Sequence, residues 1–488
     1  MARYHEHELF ARRIILVGIA NLLVSLSGVL IVAVLTKTLS IEDYGIWAQI
    51  MVTIALIPSV VMLGLPYAMV RFLAGTTKRE DIQEGFYSIA FIVLATSAIT
   101  SSLLLITSKS IAALLFDNNI LIARILSLII FIECLNSLMQ NFFRTFQQIK
   151  KYSSFMAFQN CLNLFLVAYF VLSGYGIVGA IIGVLITRSL IFLIIASIII
   201  SEIGFKIPEF RNVRDYLTFG LPTVTGNLSS WVITSSDRYV IGILLGTAYV
   251  GYYSPGYLLG NIIHMFLIPF GILLPAVLSK YYDENNMASV KMVLKYSLKY
   301  FLLIAIPSAF GLSLLSKPIL VILSTPDIAL QGYLVTPFVA ISSVFFGAFV
   351  VISHIIVLEK RTAITGYIYI LAAISNVVLN LALIPFMGII GAAFTALIVN
   401  LLLFILGVYY SFKYVKFDIG PQFILKSILA SIVMSAVIIE WNPEGLPSVL
   451  AVVGVCAVAY AAALLLFKGI SLEEIAFLRG LFQHNRNG

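Results

Sequence analysis

The sequence predicts an all-α, polytopic membrane protein of about fourteen transmembrane helices: two six-helix bundles related by a pseudo-twofold axis along the membrane normal, plus two C-terminal helices. Three observations predict it. Hydrophobic residues make up 61% of the 488 residues and charged residues 11%, with a mean hydropathy of +1.06. One soluble core of this length cannot hide that much apolar surface. Apolar runs of about 20 residues, the length a helix needs to cross hydrocarbon, recur fourteen times. Lysine and arginine then fall on alternate connections, as cytoplasmic loops require.

The runs lie near 13–36, 46–70, 86–106, 121–143, 152–173, 177–200, 217–243, 250–277, 296–316, 330–357, 365–386, 388–411, 421–440 and 446–467. The first is longer than a signal-peptide core and no small-residue cleavage pattern follows it, so it is read as retained. With the N-terminus inside, the cytoplasmic segments carry Arg3, Arg12 and Arg13; Arg71, Lys78 and Arg79; Arg144, Lys150 and Lys151; Lys206, Arg211 and Arg214. Further along they carry Lys280, Lys291, Lys295 and Lys299; Lys360 and Arg361; Lys413 and Lys416; and Lys468, Arg479 and Arg486. The opposite face has only Lys37, Lys109 and Lys317. A missed or invented helix would invert every later loop and erase this asymmetry, so both termini are expected in the cytoplasm of a multi-pass protein of the cell membrane. The net charge of +8 is thus a topology signal and implies no nucleic-acid partner. Cys134, Cys161 and Cys456 sit in apolar runs without ligand spacing, so neither disulfides nor a metal site are expected.

The chain repeats itself. Leu39 and Gly45 match Leu245 and Gly251, Pro66 and Arg71 match Pro275 and Lys280, and "GIVGA" from Gly176 matches "GIIGA" from Gly388, at offsets that drift slowly from 206 to 212. Six helices per copy give both copies the same orientation in the membrane. The expected divisions are residues 1–205 and 206–415 for the two bundles, 416–470 for the last two helices, and 471–488 for a cytoplasmic tail. In that tail Leu472, Ile475, Leu478 and Phe482 recur at helical spacing, as in a surface-lying amphipathic helix.

Polar residues inside the spans form helical stripes. Glu133, Asn136, Ser137, Gln140 and Arg144 make one; Asn227, Ser230, Trp231, Thr234 and Arg238 another; Tyr253, Tyr257, Asn261 and His264 a third; Asn21, Ser25 and Gly28 lie in the first span. Lipid does not tolerate such faces, so they meet protein or water. Arg188 sits about eleven residues into its span, roughly 16 Å deep, beyond easy snorkelling. It serves either as a ligand-gripping cation or as the ion-pair partner of Glu133. Arg124 and the neighbouring Asp237 and Arg238 lie nearer the outer face. His264 is either a protonation switch or a core histidine. Arginine outnumbers carboxylate within the spans, which suits an anionic cargo, because guanidinium grips phosphate in two-pronged fashion.

The layout, with "LSIEDYGIW", "GLPTVTGNLSSWVITSSDRYVIGILLG", "YVGYYSPGYLL", "YGIVGA" and "MGIIGA" in this order, resembles the polysaccharide-transport branch of the multidrug/oligosaccharidyl-lipid/polysaccharide exporter superfamily. The resemblance runs from about residue 8 to 467. It implies a flippase, with no enzymatic step, that moves a polyprenyl-phosphate- or diphosphate-linked oligosaccharide from the cytoplasmic to the outer leaflet by alternating access. Arg13, Arg71, Arg144 and Lys280 would attract the phosphate at the cytoplasmic mouth, and Arg188 would hold it at mid-depth. Asn21, Glu133, Asn136, Gln140, Asn227, Trp231, Asn261 and His264 would line the path, with Arg124 and Arg238 receiving the phosphate outside. Titration of Glu133, Asp237 or His264, with H+ or Na+ coupling, is one possible drive; a cofactor is not expected. The partners are the lipid-linked glycan, membrane lipid and other glycan-assembly proteins, with the chain a monomer. A cation-coupled multidrug or metabolite exporter of the same fold is the alternative reading. A membrane glycosyltransferase fits less well, since the outer loops are short and carry no acidic catalytic cluster.

Overall fold

The computed structural model describes residues 2–469, with the side chains of residues 1–17, 19 and 22 excepted. The proposed amphipathic tail at 471–483 therefore lies outside the described residues, as does the side chain of Arg13.

Secondary structure among the described residues is helical. The first part of the chain forms α1 (Ala2–Thr38), α2 (Ile41–Val61), α3 (Leu65–Leu73), α4 (Arg79–Ile106), α5 (Ser108–Leu115), α6 (Ile120–Thr145), α7 (Ile149–Phe170), α8 (Gly176–Ile203) and α9 (Val213–Leu245). There follow α10 (Thr247–Asn261), α11 (Ile268–Asp283), α12 (Met287–Leu314), α13 (Ser316–Leu323), α14 (Pro326–Gly332), α15 (Val335–Leu358), α16 (Thr362–Met387), α17 (Ile389–Ser411), α18 (Pro421–Trp441) and α19 (Gly445–Leu466). Polar caps mark several starts. Ser40 accepts from the Asp43 amide at 3.1 Å, Asn119 from Ile122 at 3.3 Å and Asn286 from Ser289 at 3.1 Å, each satisfying an amide that the first turn would leave unpaired.

Eleven helical stretches among the described residues are long and apolar enough to cross a membrane. One of them, Ile149–Ile203, is really α7 and α8, which pack against each other. Between them Gly174 takes φ 86° and Gly176 φ 57°, a left-handed turn that glycine makes without strain. Two expected spans fall outside that set for separate reasons. The apolar part of α1 is counted only over Leu23–Thr38, and the polar stripe of α9 lowers its hydropathy although its 33 residues extend about 50 Å. Side chains such as Phe165, Leu193, Ile439 and Val458 are 59–70% exposed, an outward apolar surface suited to lipid and not to water.

Two expected spans are interrupted. The run at 46–70 breaks into α2 and α3 at Met62–Gly64, where Leu63 and Gly64 have φ of 52° and 69° and Pro66 sits in the first turn of α3. The run at 250–277 passes through a 3₁₀ segment, Ile262–Leu267, just before Pro269. A proline removes one amide donor and crowds the preceding turn, which accounts for that second break. Pro307, by contrast, sits within an unbroken α12.

The helices group into two compact units. The first comprises residues up to Pro255 together with Leu323–Ile328 and Tyr369–Thr395. Within it α1 packs on α7, α6 on α4 and α8, and α9 on α2 and α3. The second comprises Gly256–Ile322, Ala329–Ile368 and Ala396 onward. There α12 packs on α15 and α18, and α18 on α19, around Phe301, Phe349, Leu298 and Ile352. Packing thus places α9 with the helices before it, whereas the sequence repeat starts its second copy at 206.

Candidate functional site

Within the first unit α2, α3, α6 and α9 enclose a cavity of about 460 Å³. Each wall has a local cause. The α2–α3 break supplies Pro58, Ser59, Met62, Gly64, Pro66 and Tyr67; α6 supplies Glu133, Ser137, Asn141 and Arg144; α9 supplies Asn227, Ser230, Trp231 and Thr234. Gly64 and Gly220 let α3 lie against α9: a Cβ at Gly64 would meet the Gly220 carbonyl and Thr223, and a Cβ at Gly220 would meet the carbonyl of Leu63. The cavity therefore depends on the same break that interrupts the second span.

Its polar groups are held by local hydrogen bonds. Tyr67 Oη donates to Asn227 Oδ1 at 3.3 Å, linking α3 to α9. The Trp231 indole donates to the Val52 carbonyl at 3.2 Å, and its ring lies 5.6 Å from that of Tyr239. That fixes a flat aromatic wall. The Asn141 amide donates to the Ser137 carbonyl at 2.9 Å, and Thr234 Oγ1 to that of Ser230 at 3.0 Å. Arg144 stands one residue from the C-terminal end of α6, and Glu133 stands farther in. Along α6, Glu133 to Arg144 spans about 16 Å.

Arg188 is not a wall of this cavity. Its Nε lies 3.1 Å from Glu133 Oε2, with side-chain exposures of 19% and 17%, so of the two alternatives open in the sequence the ion pair is the one formed. Glu133 faces the cavity, and Arg188 stands behind it on α8. A guanidinium at that depth is costly without a partner, and the facing helix provides one.

Asn136 and Gln140 likewise turn away from the cavity. Asn136 is fully buried and donates to Gln159 Oε1 at 3.0 Å; Gln140 donates to the same oxygen at 2.6 Å. This cluster joins α6 to α7, a common use of amides between membrane helices. Asp237 and Arg238 are buried and paired at 3.2 Å. Tyr253 Oη donates to Asp237, and the Arg238 guanidinium lies 5.8 Å from the Tyr253 ring centre. They form a closed internal pair, separate from the cavity lining. Arg124 is exposed on α6 and Arg71 on α3, both away from the lining; Asn21, on α1, is half-buried and also off it.

In the second unit, His264 packs on Phe346 with ring centres 4.9 Å apart, beside the buried Ile263 and Leu267. Asn261 and Lys280 lie on the same stretch of chain, Lys280 exposed. Among the lining residues that escaped the sequence reading are Tyr67, Asn141, Ser59 and Met62. Asn141 continues the Glu133–Ser137 spacing, and the proline and glycine around Gly64 signal the break that turns Tyr67 inward.

Amides, hydroxyls, one fixed indole, the Glu133 carboxylate and a terminal arginine give the cavity a polar, hydrogen-bonding surface. In sequence, the chain is 21% identical over 214 residues to the probable low-salt glycan biosynthesis flippase Agl15 of Haloferax volcanii. That match covers 42% of this chain and 45% of the relative's length. In structure, it is similar to the lipid II flippase MurJ in an inward closed conformation, with TM-score 0.72 and 21% identity over 96% of this chain and all of the other. It is also similar to an inward-facing multidrug resistance MATE family transporter of the MOP superfamily, with TM-score 0.67 and 17% identity over 82% of this chain and 98% of the other. The structural likenesses establish a shared polytopic helical fold. Residues 34–326, more than half the chain, match the family model described as "Polysaccharide biosynthesis protein", and the chain belongs to that family.

Proposed function

We propose that this protein is a flippase that carries an oligosaccharide linked to a polyprenyl phosphate or diphosphate from the cytoplasmic to the outer leaflet. The observation that carries this reading is the polar cavity of the first unit, walled by Asn141, Asn227, Ser230 and Trp231 and ending at Arg144, in helices that are otherwise apolar. Membership of the polysaccharide biosynthesis family, and the glycan flippase in the sequence comparison, support the same cargo class.

The residues divide the work. Arg144, one residue from the end of α6, meets the phosphate at the cytoplasmic mouth, with Arg71 and Arg13 adding to the attraction there. Guanidinium suits this role because its donors match two phosphate oxygens at once. Sugar hydroxyls exchange water for the amides and hydroxyls of α6 and α9, and a pyranose face lies on Trp231. The prenyl tail stays in lipid. Arg188 pairs with Glu133 and orients it, so the deep end of the cavity carries no isolated carboxylate to repel the phosphate. The protein works in the cell membrane with both termini cytoplasmic, as a monomer, and without chemistry on its cargo.

The test is the leaflet location of lipid-linked glycan in cells lacking the protein. Cytoplasmic-side accumulation, rescued by the wild-type chain and not by a Trp231→Ala/Asn227→Ala double variant, is the expected outcome. Normal glycan export together with altered sensitivity to toxic cations would overturn it in favour of a cation-coupled exporter, the reading that an acidic residue in the cavity wall otherwise favours.

A further inference from the structure

A second concentration of charge lies in the second unit. Lys291, Lys295 and Lys299 stand at i, i+4 and i+8 on one face of α12, Lys416 comes from the connection between α17 and α18, and Lys426 from α18. They line two adjoining hollows of about 380 and 480 Å³ that share Lys295 and Asp418. Among the described residues that line the hollows, Asp418 is the carboxylate, and its Oδ2 lies 2.8 Å from Lys295 Nζ. The Lys295 hydrogen bond, and next that of the Gly420 amide, hold the Asp418 carboxyl below its usual range.

The arrangement is unfavourable when left to itself. Like charges four apart on a helix repel. The ammonium groups are nevertheless positioned. Lys299 Nζ sits 5.2 Å from the Phe423 ring centre, and Lys426 Nζ donates to the Lys468 carbonyl at 3.0 Å. A seated anion would offset that repulsion.

The surroundings identify the anion. The lysines belong to the ends of membrane-crossing helices on the side that carries the basic loops. Exposed apolar side chains adjoin them: Met292 is 56% and Leu425 59% exposed. A ligand that presents phosphate to the hollows and hydrocarbon to Met292 and Leu425 matches both features, whereas a free anion would use only the first. Juxtamembrane lysines are drawn to the anionic lipids of the cytoplasmic leaflet by the same electrostatics.

We propose that Lys291, Lys295, Lys299, Lys416 and Lys426 form a binding site for the phosphate headgroup of an anionic phospholipid, with its acyl chains along α12 and α18. The site is separate from the cavity of the first unit.

The full-length protein in zwitterionic nanodiscs, titrated with phosphatidylglycerol and followed by native mass spectrometry and thermal melting, tests it. Saturable binding with a raised melting temperature is expected. The Lys295→Gln/Lys299→Gln/Lys416→Gln variant should bind about five-fold more weakly per lysine removed, while the corresponding triple arginine variant should bind like the wild type. Equal stabilisation by phosphatidylcholine, equal binding by the glutamine variant, or full reproduction of the effect by inorganic phosphate would each overturn the proposal, the last by showing a site for a small free anion.

Discussion

At the scale of single residues, the stripe along α6 shows how far spacing alone reaches. At about 100° per residue, Asn136 and Gln140 fall roughly 20 to 60° to one side of Glu133, while Ser137, Asn141 and Arg144 fall roughly 20 to 80° to the other. The sequence places all of them on one polar face; only the neighbouring helices decide that one edge meets Gln159 and the other meets the cavity. The two edges should respond differently to mutation. Asn136→Ala removes one of the two donors to the buried Gln159 and should cost about 0.5 to 1.5 kcal/mol of stability, read as a lower melting temperature, with transport per folded molecule unchanged. Asn141→Ala, facing the cavity, should lower glycan export and leave melting within about 0.5 kcal/mol of wild type. The Glu133–Arg188 pair gives a third test. Removing one partner of a fully buried pair costs about 3 to 5 kcal/mol, but these side chains retain 19% and 17% exposure beside a cavity, so Arg188→Ala should cost about 1 to 3 kcal/mol. If Arg188 acts by neutralising Glu133, adding Glu133→Gln to Arg188→Ala should recover part of both stability and export. An Arg188 that gripped phosphate directly would leave the double variant as inactive as the single one.

At the scale of elements, hydrophobic length located the spans well and their internal breaks poorly. A run of apolar residues reports that a segment is out of water, and it is blind to whether the backbone stays straight. The information sits in the few residues that cannot continue a helix: Leu63 and Gly64 with positive φ, and Pro66 just beyond. That break lets α3 lie on α9 through facing glycines, and so forms one wall of the site. Gly64→Ala would strain a left-handed backbone position and press a methyl group on the Gly220 carbonyl. A cost of about 1 to 3 kcal/mol is expected, with export falling more steeply than melting because α3 is displaced from the cavity. Gly75→Ala, where an added Cβ meets nothing within 4 Å, is the matched control and should change neither measurement.

At the scale of the whole molecule, membrane orientation is carried by charge. Eleven stretches pass a test of length and hydropathy, and the polar helix α9 does not, so a count by hydropathy alone would lose a crossing and invert every loop after residue 245. The lysine and arginine pattern keeps that crossing, because Lys206, Arg211 and Arg214 before α9 and Lys280 after α11 then share one side. This yields an expected labelling pattern. With Cys161 first replaced, Cys134 and Cys456 being buried, single cysteines at Lys109 and Lys317 should react with a membrane-impermeant maleimide in intact cells. Cysteines at Lys150 and Lys360 should react only after permeabilisation. Lys109 precedes α9 and Lys317 follows it, so with α6, α7, α8, α10–α11 and α12 each crossing once the comparison reports on α9. If Lys317 were shielded and Lys360 labelled while Lys109 kept its exposure, α9 would not cross, Asn227 and Trp231 would not stand within the bilayer opposite Glu133, and the cavity would be no passage for a headgroup. Labelling of Lys109 and Lys317 from the same side places the polar face of α9 inside the membrane, where its cost requires an aqueous or protein partner. The cavity against α2, α3 and α6 supplies that partner.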